Sequence, residues 1–96
     1  MPAYLIIQSR ISDPEPMSAY REAVMPLIER YNGKHIVKGV TAETLEGTSA
    51  DGRLNILEFP SLEVLRAFWN SPEYVKIKQL RHGAAEFDAW AVPGIE

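Results

Sequence analysis

The sequence predicts an α+β domain in which an antiparallel four-stranded sheet carries helices on one face. Three observations support this prediction. The chain has 96 residues, which is enough for one hydrophobic core. Strand-like runs and helix-like stripes alternate in the order βαββαβ. No internal repeat or linker interrupts that order, so residues 1–96 are predicted to form a single domain.

The first third of the chain predicts a strand followed by a helix. Residues 4–11 are rich in β-branched and aromatic side chains, which is typical of a strand. Asp13 and Pro14 supply an N-cap and a first helical residue. Pro26 is expected to bend the helix, and Gly33 to end it in a left-handed cap. The apolar helical stripe comprises Met17, Tyr20, Val24, Leu27, Ile28 and Tyr31.

The middle of the chain predicts two strands joined by a turn. Residues 35–40 form the second strand, and residues 41–46 are expected to continue it beyond a bend at Gly39. Residues 47–52 form the turn, and residues 53–59 return as the third strand.

The last third predicts a broken helix and a final strand. Ser61 caps a helix that ends near Asn70, and Ser71 caps a second segment that ends near Gly83. Residues 86–92 form the last strand. This order of elements, with helices on one face of the sheet, is the ferredoxin-like arrangement.

Composition narrows the function classes. The net charge of −3 argues against nucleic acid as a partner, because phosphate contacts require a basic face. The absence of cysteine excludes a disulfide scaffold and a thiolate nucleophile. Apolar runs are too short to span a membrane, and no basic leader precedes them. We therefore expect a cytoplasmic protein with neither a membrane nor a nucleic-acid partner.

Apolar residues occur on both faces of two predicted strands. Leu5, Ile6 and Ile7 are consecutive, and so are Ile56 and Leu57. Helices can cover only one face, so the other face would expose apolar groups in a monomer. The sequence therefore predicts a homodimer.

His35 and His82 are candidates for acid–base chemistry because histidine titrates near neutral pH. Simple alternation places His35 on one strand face with Val37, and Lys38 on the opposite face. His82 ends a helix, where the dipole favours a cation. Either histidine can instead have a purely structural role. No second ligand lies at metal-binding spacing, so neither a metal nor another cofactor is expected.

Glu58 interrupts an apolar strand just before the helix cap at Ser61. Its carboxylate is expected at the rim between sheet and helix, where it needs a partner or a raised pKa. It is a candidate general base or ligand anchor. Alternatively, it forms an ion pair with Arg81, Lys38 or Arg53.

Several short motifs resemble those of one family of small proteins. The chain has a Met-Pro-Ala-Tyr strand, an Asp13-Pro14 helix start and Tyr20 soon after it. The other matching motifs are Asn32 to Val40, Leu45-Glu46-Gly47, Glu58-Phe59-Pro60-Ser61, Ser71-Pro72-Glu73-Tyr74 and Leu80-Arg81. Over nearly its whole length the chain resembles the family called domain of unknown function 1330.

The resemblance implies a homodimer whose sheets pair into a dimeric α+β barrel. That superfamily includes cofactor-free monooxygenases, muconolactone isomerase-like enzymes, haem-degrading proteins and members without known chemistry. The matched positions make Tyr20, Lys38, Tyr74 and Arg81 the ligand-binding candidates. Lys38 stands where the family more usually has arginine. It keeps the positive charge but lacks the planar guanidinium that can hold a carboxylate through two parallel hydrogen bonds.

Two functional hypotheses follow from these observations. The first is a homodimer that binds a small organic ligand between sheet and helices, with cofactor-free oxygenase or isomerase chemistry at Glu58 or His35. The second is a non-catalytic homodimer without a small-molecule site. They differ in whether a cavity remains beside the sheet or side chains fill it.

Overall fold

The computed structural model describes residues 1–95, in which helices pack on one face of a four-stranded sheet. The elements are β1 (Ala3–Ile11), α1 (Pro14–Arg30), β2 (Lys34–Val40), β3 (Arg53–Phe59), α2 (Leu62–Trp69), α3 (Pro72–Lys78), a 3₁₀ turn (Gln79–Arg81) and β4 (Ala85–Pro93). The strand order is β2-β3-β1-β4, with antiparallel neighbours throughout. The predicted α+β fold is confirmed. No helix within residues 1–95 is long and apolar enough to cross a membrane.

The sheet has a helix-covered face and an open face, and β1 lies near its centre. Ala3, Leu5 and Ile7 are buried beneath the helices. Tyr4 and Ile6 point the other way, because successive strand side chains alternate. The open face also carries Glu58 and Val92, which pair with Tyr4, Ile56 and Trp90, which pair with Ile6, and Leu54, which pairs with Gln8.

Aromatic rings hold the helices to the covered face. Phe68 of α2 packs between Phe59 and Tyr74, with ring centroids 5.3 and 4.9 Å away. The predicted stripe on α1 is buried at Met17, Tyr20, Val24, Leu27 and Ile28, and its last member, Tyr31, is partly buried. One core therefore joins the helices to the sheet.

Side-chain caps start each helix where the sequence predicts. The Ser61 and Ser71 hydroxyls accept hydrogen bonds from backbone N–H groups three residues later, both at 3.1 Å. Asp13 caps α1 by accepting from the N–H of Glu15 at 3.3 Å. The second serine cap breaks the α2–α3 segment and directs Tyr74 into the core.

The end of α1 differs from the prediction. Asn32, and not Gly33, adopts the left-handed conformation, with φ of 60°. The N–H of Gly33 then bonds to the carbonyl of Ile28 at 2.9 Å. Glycine is needed at position 33 for space, because a Cβ there would lie 2.7 Å from Cε1 of Phe59.

The predicted continuation of β2 through residues 41–46 is wrong. Residues 41–52 form an exposed loop without strand structure. Asp51 anchors the end of this loop to β1, since its backbone oxygen and carboxylate accept hydrogen bonds from the Gln8 side chain at 2.6 and 3.0 Å. These two bonds hold the end of the loop beside β1, directly before β3 begins.

Candidate functional site

A cleft of about 170 Å³ lies between α1 and the covered face of β1, β2 and β3. Its lining is mostly apolar, from residues such as Ile7, Val24, Met25 and Leu57. Polar groups reach the same space from several elements: Ser9, Tyr20, Arg21, His35, Lys38, Arg53 and Asn55. An apolar pocket with a few convergent polar groups is typical of small-molecule sites.

An irregularity in β2 brings Lys38 to this cleft, beside His35. His35 pairs with Leu57 of β3, but the register shifts before Val37, which pairs with Ile56, and shifts again before Val40. Such bulges reverse the alternation of side chains beyond them. The prediction that His35 and Lys38 lie on opposite faces is wrong, because both border the cleft.

Side chains of β3 stabilise the irregular part of β2. The N–H of Gly39 donates to Oδ1 of Asn55, and Nη1 of Arg53 donates to the Gly39 carbonyl, both at 2.9 Å. Gly39 has φ of 61°, a left-handed conformation that glycine adopts without strain. These two bonds replace ladder bonds that the bulge removes, and they hold Arg53 and Asn55 at the cleft wall.

His35 is suited to accept a proton at neutral pH. Burial, and then the positive charge of Lys38, lower the pKa of His35 below its ordinary value. The imidazole is therefore neutral at pH 7, with one nitrogen able to accept a hydrogen bond.

Tyr20 and Tyr74 form a buried hydroxyl pair beside the cleft. Their oxygens are 2.8 Å apart, and the rings meet edge to face. Burial and the neighbouring Tyr74 hydroxyl raise the pKa of Tyr20 far above its ordinary value, although Arg81 opposes this shift. Tyr20 stays protonated at neutral pH and can act only as a neutral hydrogen-bonding group.

Arg81 joins this tyrosine pair. Its guanidinium carbon lies 3.8 Å from the ring centroid of Phe87 and 5.6 Å from that of Tyr20. Its Nε is buried without a hydrogen-bond partner among residues 1–95. Arg81 and the exposed His82 border a second, wide groove of about 850 Å³ between β4 and α3. The structure thus brings Tyr20, Tyr74 and Arg81 together, while Lys38 shares only the cleft with Tyr20.

The expected position of Glu58 is wrong. Glu58 pairs with Tyr4 on the open face, away from the cleft. Its carboxylate lies 3.4 Å from the ammonium of Lys34, on the neighbouring strand. None of the three expected ion-pair partners lies within ion-pair distance among residues 1–95.

Asn55 is a further polar residue of the cleft, and the sequence contains a signal for it. Asn55 interrupts the same strand as Glu58, three positions earlier, and three positions reverse the face of a strand. Asn55 pairs with the buried Ile7, so it faces the cleft. Only the β1 residue opposite each side chain, Ile7 for Asn55 and Tyr4 for Glu58, shows which of the two faces the cleft. No three His, Asp or Glu side chains gather at metal-binding distance in the described part of the chain.

The profile of the family described as "Domain of unknown function (DUF1330)" matches residues 2–95. The chain belongs to this family. No curated protein sequence matches the chain significantly.

Three solved structures illustrate the fold of this DUF1330 protein. A protein of unknown function from Rhodopseudomonas palustris is 20% identical with a TM-score of 0.78, covering 99% of this chain and 83% of its own. SnoaB, a cofactor-independent oxygenase from Streptomyces nogalater, is 6% identical with a TM-score of 0.60, covering 99% and 94%. A dimeric protein of unknown function and ferredoxin-like fold from Bacteroides fragilis is 14% identical with a TM-score of 0.59, covering 97% and 96%. These similarities establish the ferredoxin-like fold.

The tyrosine pair gives a stability prediction. Tyr20→Phe or Tyr74→Phe alone leaves one buried hydroxyl without its partner, so each should cost about 1–3 kcal/mol of unfolding free energy. The double variant removes both hydroxyls and should cost clearly less than the sum. Urea unfolding of the four proteins measures the coupling. Additive losses would show that the hydroxyls do not depend on each other.

Proposed function

We propose that this protein is a homodimer that binds a small organic ligand in the cleft beneath α1. The supporting observation is that the cleft stays open although it lies beside a well-packed core, while His35, Lys38 and Asn55 converge on it. Side chains that served packing alone would be expected to fill this space.

The size of the cleft suggests a ligand of about one ring. Its volume of about 170 Å³ is close to that of an engineered apolar cavity of roughly 150 Å³, in another protein, that binds benzene. Apolar residues such as Val24, Met25 and Leu57 would contact the ring, and the polar groups would orient its substituents.

Phenol is a suitable neutral probe for this site. We expect it to shift the backbone amide NMR signals of Ser9, Gly39 and Asn55 in a saturable manner. Met25→Trp adds an indole to the cleft lining and should abolish these shifts. Glu22→Trp adds the same ring to the exposed face of α1 and should leave them unchanged.

The outcome also separates the two functional hypotheses. A dimer that shows no saturable shift with phenol would favour the non-catalytic homodimer without a small-molecule site. Equal shifts in the Met25→Trp variant would place the binding outside the cleft.

The open face supports the dimeric part of the proposal. Ile6, Leu54 and Ile56 occupy its middle, and Trp90 is 50% exposed at the edge strand. A second copy would bury these groups at roughly 25 cal/mol per Å² of apolar area. SnoaB has the same fold and is described as an oxygenase, and the Bacteroides fragilis protein is described as dimeric.

Trp90→Glu should dissociate the dimer without unfolding the protomer. The side chain is half-exposed in a single chain, so folding does not require its burial, whereas a charge would oppose sheet-to-sheet pairing. Val75→Glu is a matched control, because Val75 is equally exposed but lies on α3. Sedimentation velocity and circular dichroism measure assembly and folding. A wild-type monomer at micromolar concentration would contradict the proposed dimer.

A second candidate function, proton-transfer chemistry, is favoured by the neutral His35 beside Lys38. The imidazole can take a proton from an acidic C–H group, and the cations nearby can stabilise the enolate that forms. Removal of such a proton is a first step shared by isomerisation and by cofactor-free reaction with oxygen. Tyr20 can donate a hydrogen bond to the same oxygen while it stays protonated.

Deuterium exchange tests this chemistry without knowledge of the substrate. The protein should accelerate exchange of the α-protons of cyclohexanone in D₂O, and His35→Gln should abolish the acceleration. Because its pKa lies below the ordinary 6.5, His35 stays unprotonated between pH 8 and about 6.5, so the rate should fall only at lower pH. His82→Gln is the control. Equal rates with and without protein would contradict a catalytic base in the cleft.

A further inference from the structure

We propose that the cleft selects organic acids, and that its ligand is a ring-sized carboxylate with the carboxylate at the cationic mouth. This inference rests on the proposed ligand-binding function and adds the chemical class of the ligand. Three cations from three different elements border the mouth: Arg21 from α1, Lys38 from β2 and Arg53 from β3.

The charge of the cleft is opposite to that of the whole protein. The chain carries 13 acidic and 10 basic residues. No Asp or Glu lines the cleft within residues 1–95. The ion pairs of the described chain involve Arg10, Arg30 and Lys34, and none of the three cleft cations. A concentration of unpaired positive charge in an acidic protein favours an anionic ligand.

The hydrogen-bonding groups in the cleft also favour an anion. Oδ1 of Asn55 and the carbonyl of Gly39 already accept bonds from within the protein. The amide NH₂ of Asn55, the other N–H groups of Arg53 and the ammonium of Lys38 are donors. The cleft therefore offers mainly donors, which match a carboxylate, since an ionised carboxylate only accepts.

The geometry of the cleft distinguishes an organic acid from a bare anion. The three cations are exposed and lie at the mouth, whereas the walls farther in are apolar, as at Val24, Ile28 and Leu57. Inorganic phosphate would use only the mouth. A ring-bearing carboxylate would also bury its ring, at about 25 cal/mol per Å² of apolar area.

Benzoate and its neutral isostere benzamide test this inference. The same NMR titration should show benzoate binding at least ten-fold more tightly than benzamide at low salt. The preference should shrink in 0.3 M NaCl, because the cations are exposed and salt screens them. Lys38→Gln and Arg21→Gln should each reduce the preference several-fold, because each removes one positive charge from the mouth. Lys76→Gln, on exposed α3 surface outside the cleft, should not reduce it.

The outcomes separate the two proposals. Equal affinities for benzoate and benzamide would overturn the charge selectivity and leave the ligand-binding proposal intact. If benzoate, benzamide and phenol all fail to bind, both proposals are overturned. Inorganic phosphate that displaced benzoate and bound as tightly as benzoate does would show that only the mouth binds. This result would also overturn selection of an organic acid.

Discussion

The alternation of side chains along β1 is the constraint on which the rest of the structure depends. Ala3, Leu5 and Ile7 must face the helices because they are buried in the core, so Tyr4 and Ile6 must face the other way. Both β3 and β4 pair with β1 along most of its length. That pairing determines which side chains of each strand face the helices and which lie on the open face. The proposed ligand cleft and the proposed dimer surface therefore lie on opposite sides of one sheet.

The edge strand β2 departs from this alternation, and the departure creates the polar part of the cleft. A regular strand would place His35 and Lys38 on opposite faces. The bulge after His35 places Lys38 at the cleft as well, at the loss of regular ladder bonds. Asn55 and Arg53 offset that loss by bonding to Gly39, so the same bonds maintain the irregular backbone and position two lining side chains.

The tyrosine pair gives the cleft a fixed boundary on the helix side. Tyr20 comes from α1 and Tyr74 from α3, so their hydrogen bond ties the helix above the cleft to the rest of the helical layer. The stacking of Arg81 on Phe87 extends this cluster to β4. Two tyrosines that resemble family motif positions thus have a structural role here, beside any contact that Tyr20 makes with a ligand.

Local chemistry in the sequence determined the order of elements, the helix starts and the buried stripe of α1. A serine or aspartate cap bonds to an N–H two or three residues away, and a helical stripe repeats every three or four residues. Short-range patterns therefore predicted the α+β fold and drew attention to His35 and Glu58, while the family resemblance drew attention to Tyr20, Lys38, Tyr74 and Arg81. They could not determine which candidates meet in space.

Only the tertiary structure decided the faces of Asn55 and Glu58, the register of β2 and the role of Gly33. Asn55 and Glu58 both interrupt one apolar strand. Asn55 pairs with Ile7 and faces the cleft, whereas Glu58 pairs with Tyr4 and lies on the open face. Gly33 is required by the ring of Phe59, a residue far along the chain. These features depend on contacts between residues distant in sequence, and a pattern that repeats every two to four residues contains no information about such contacts.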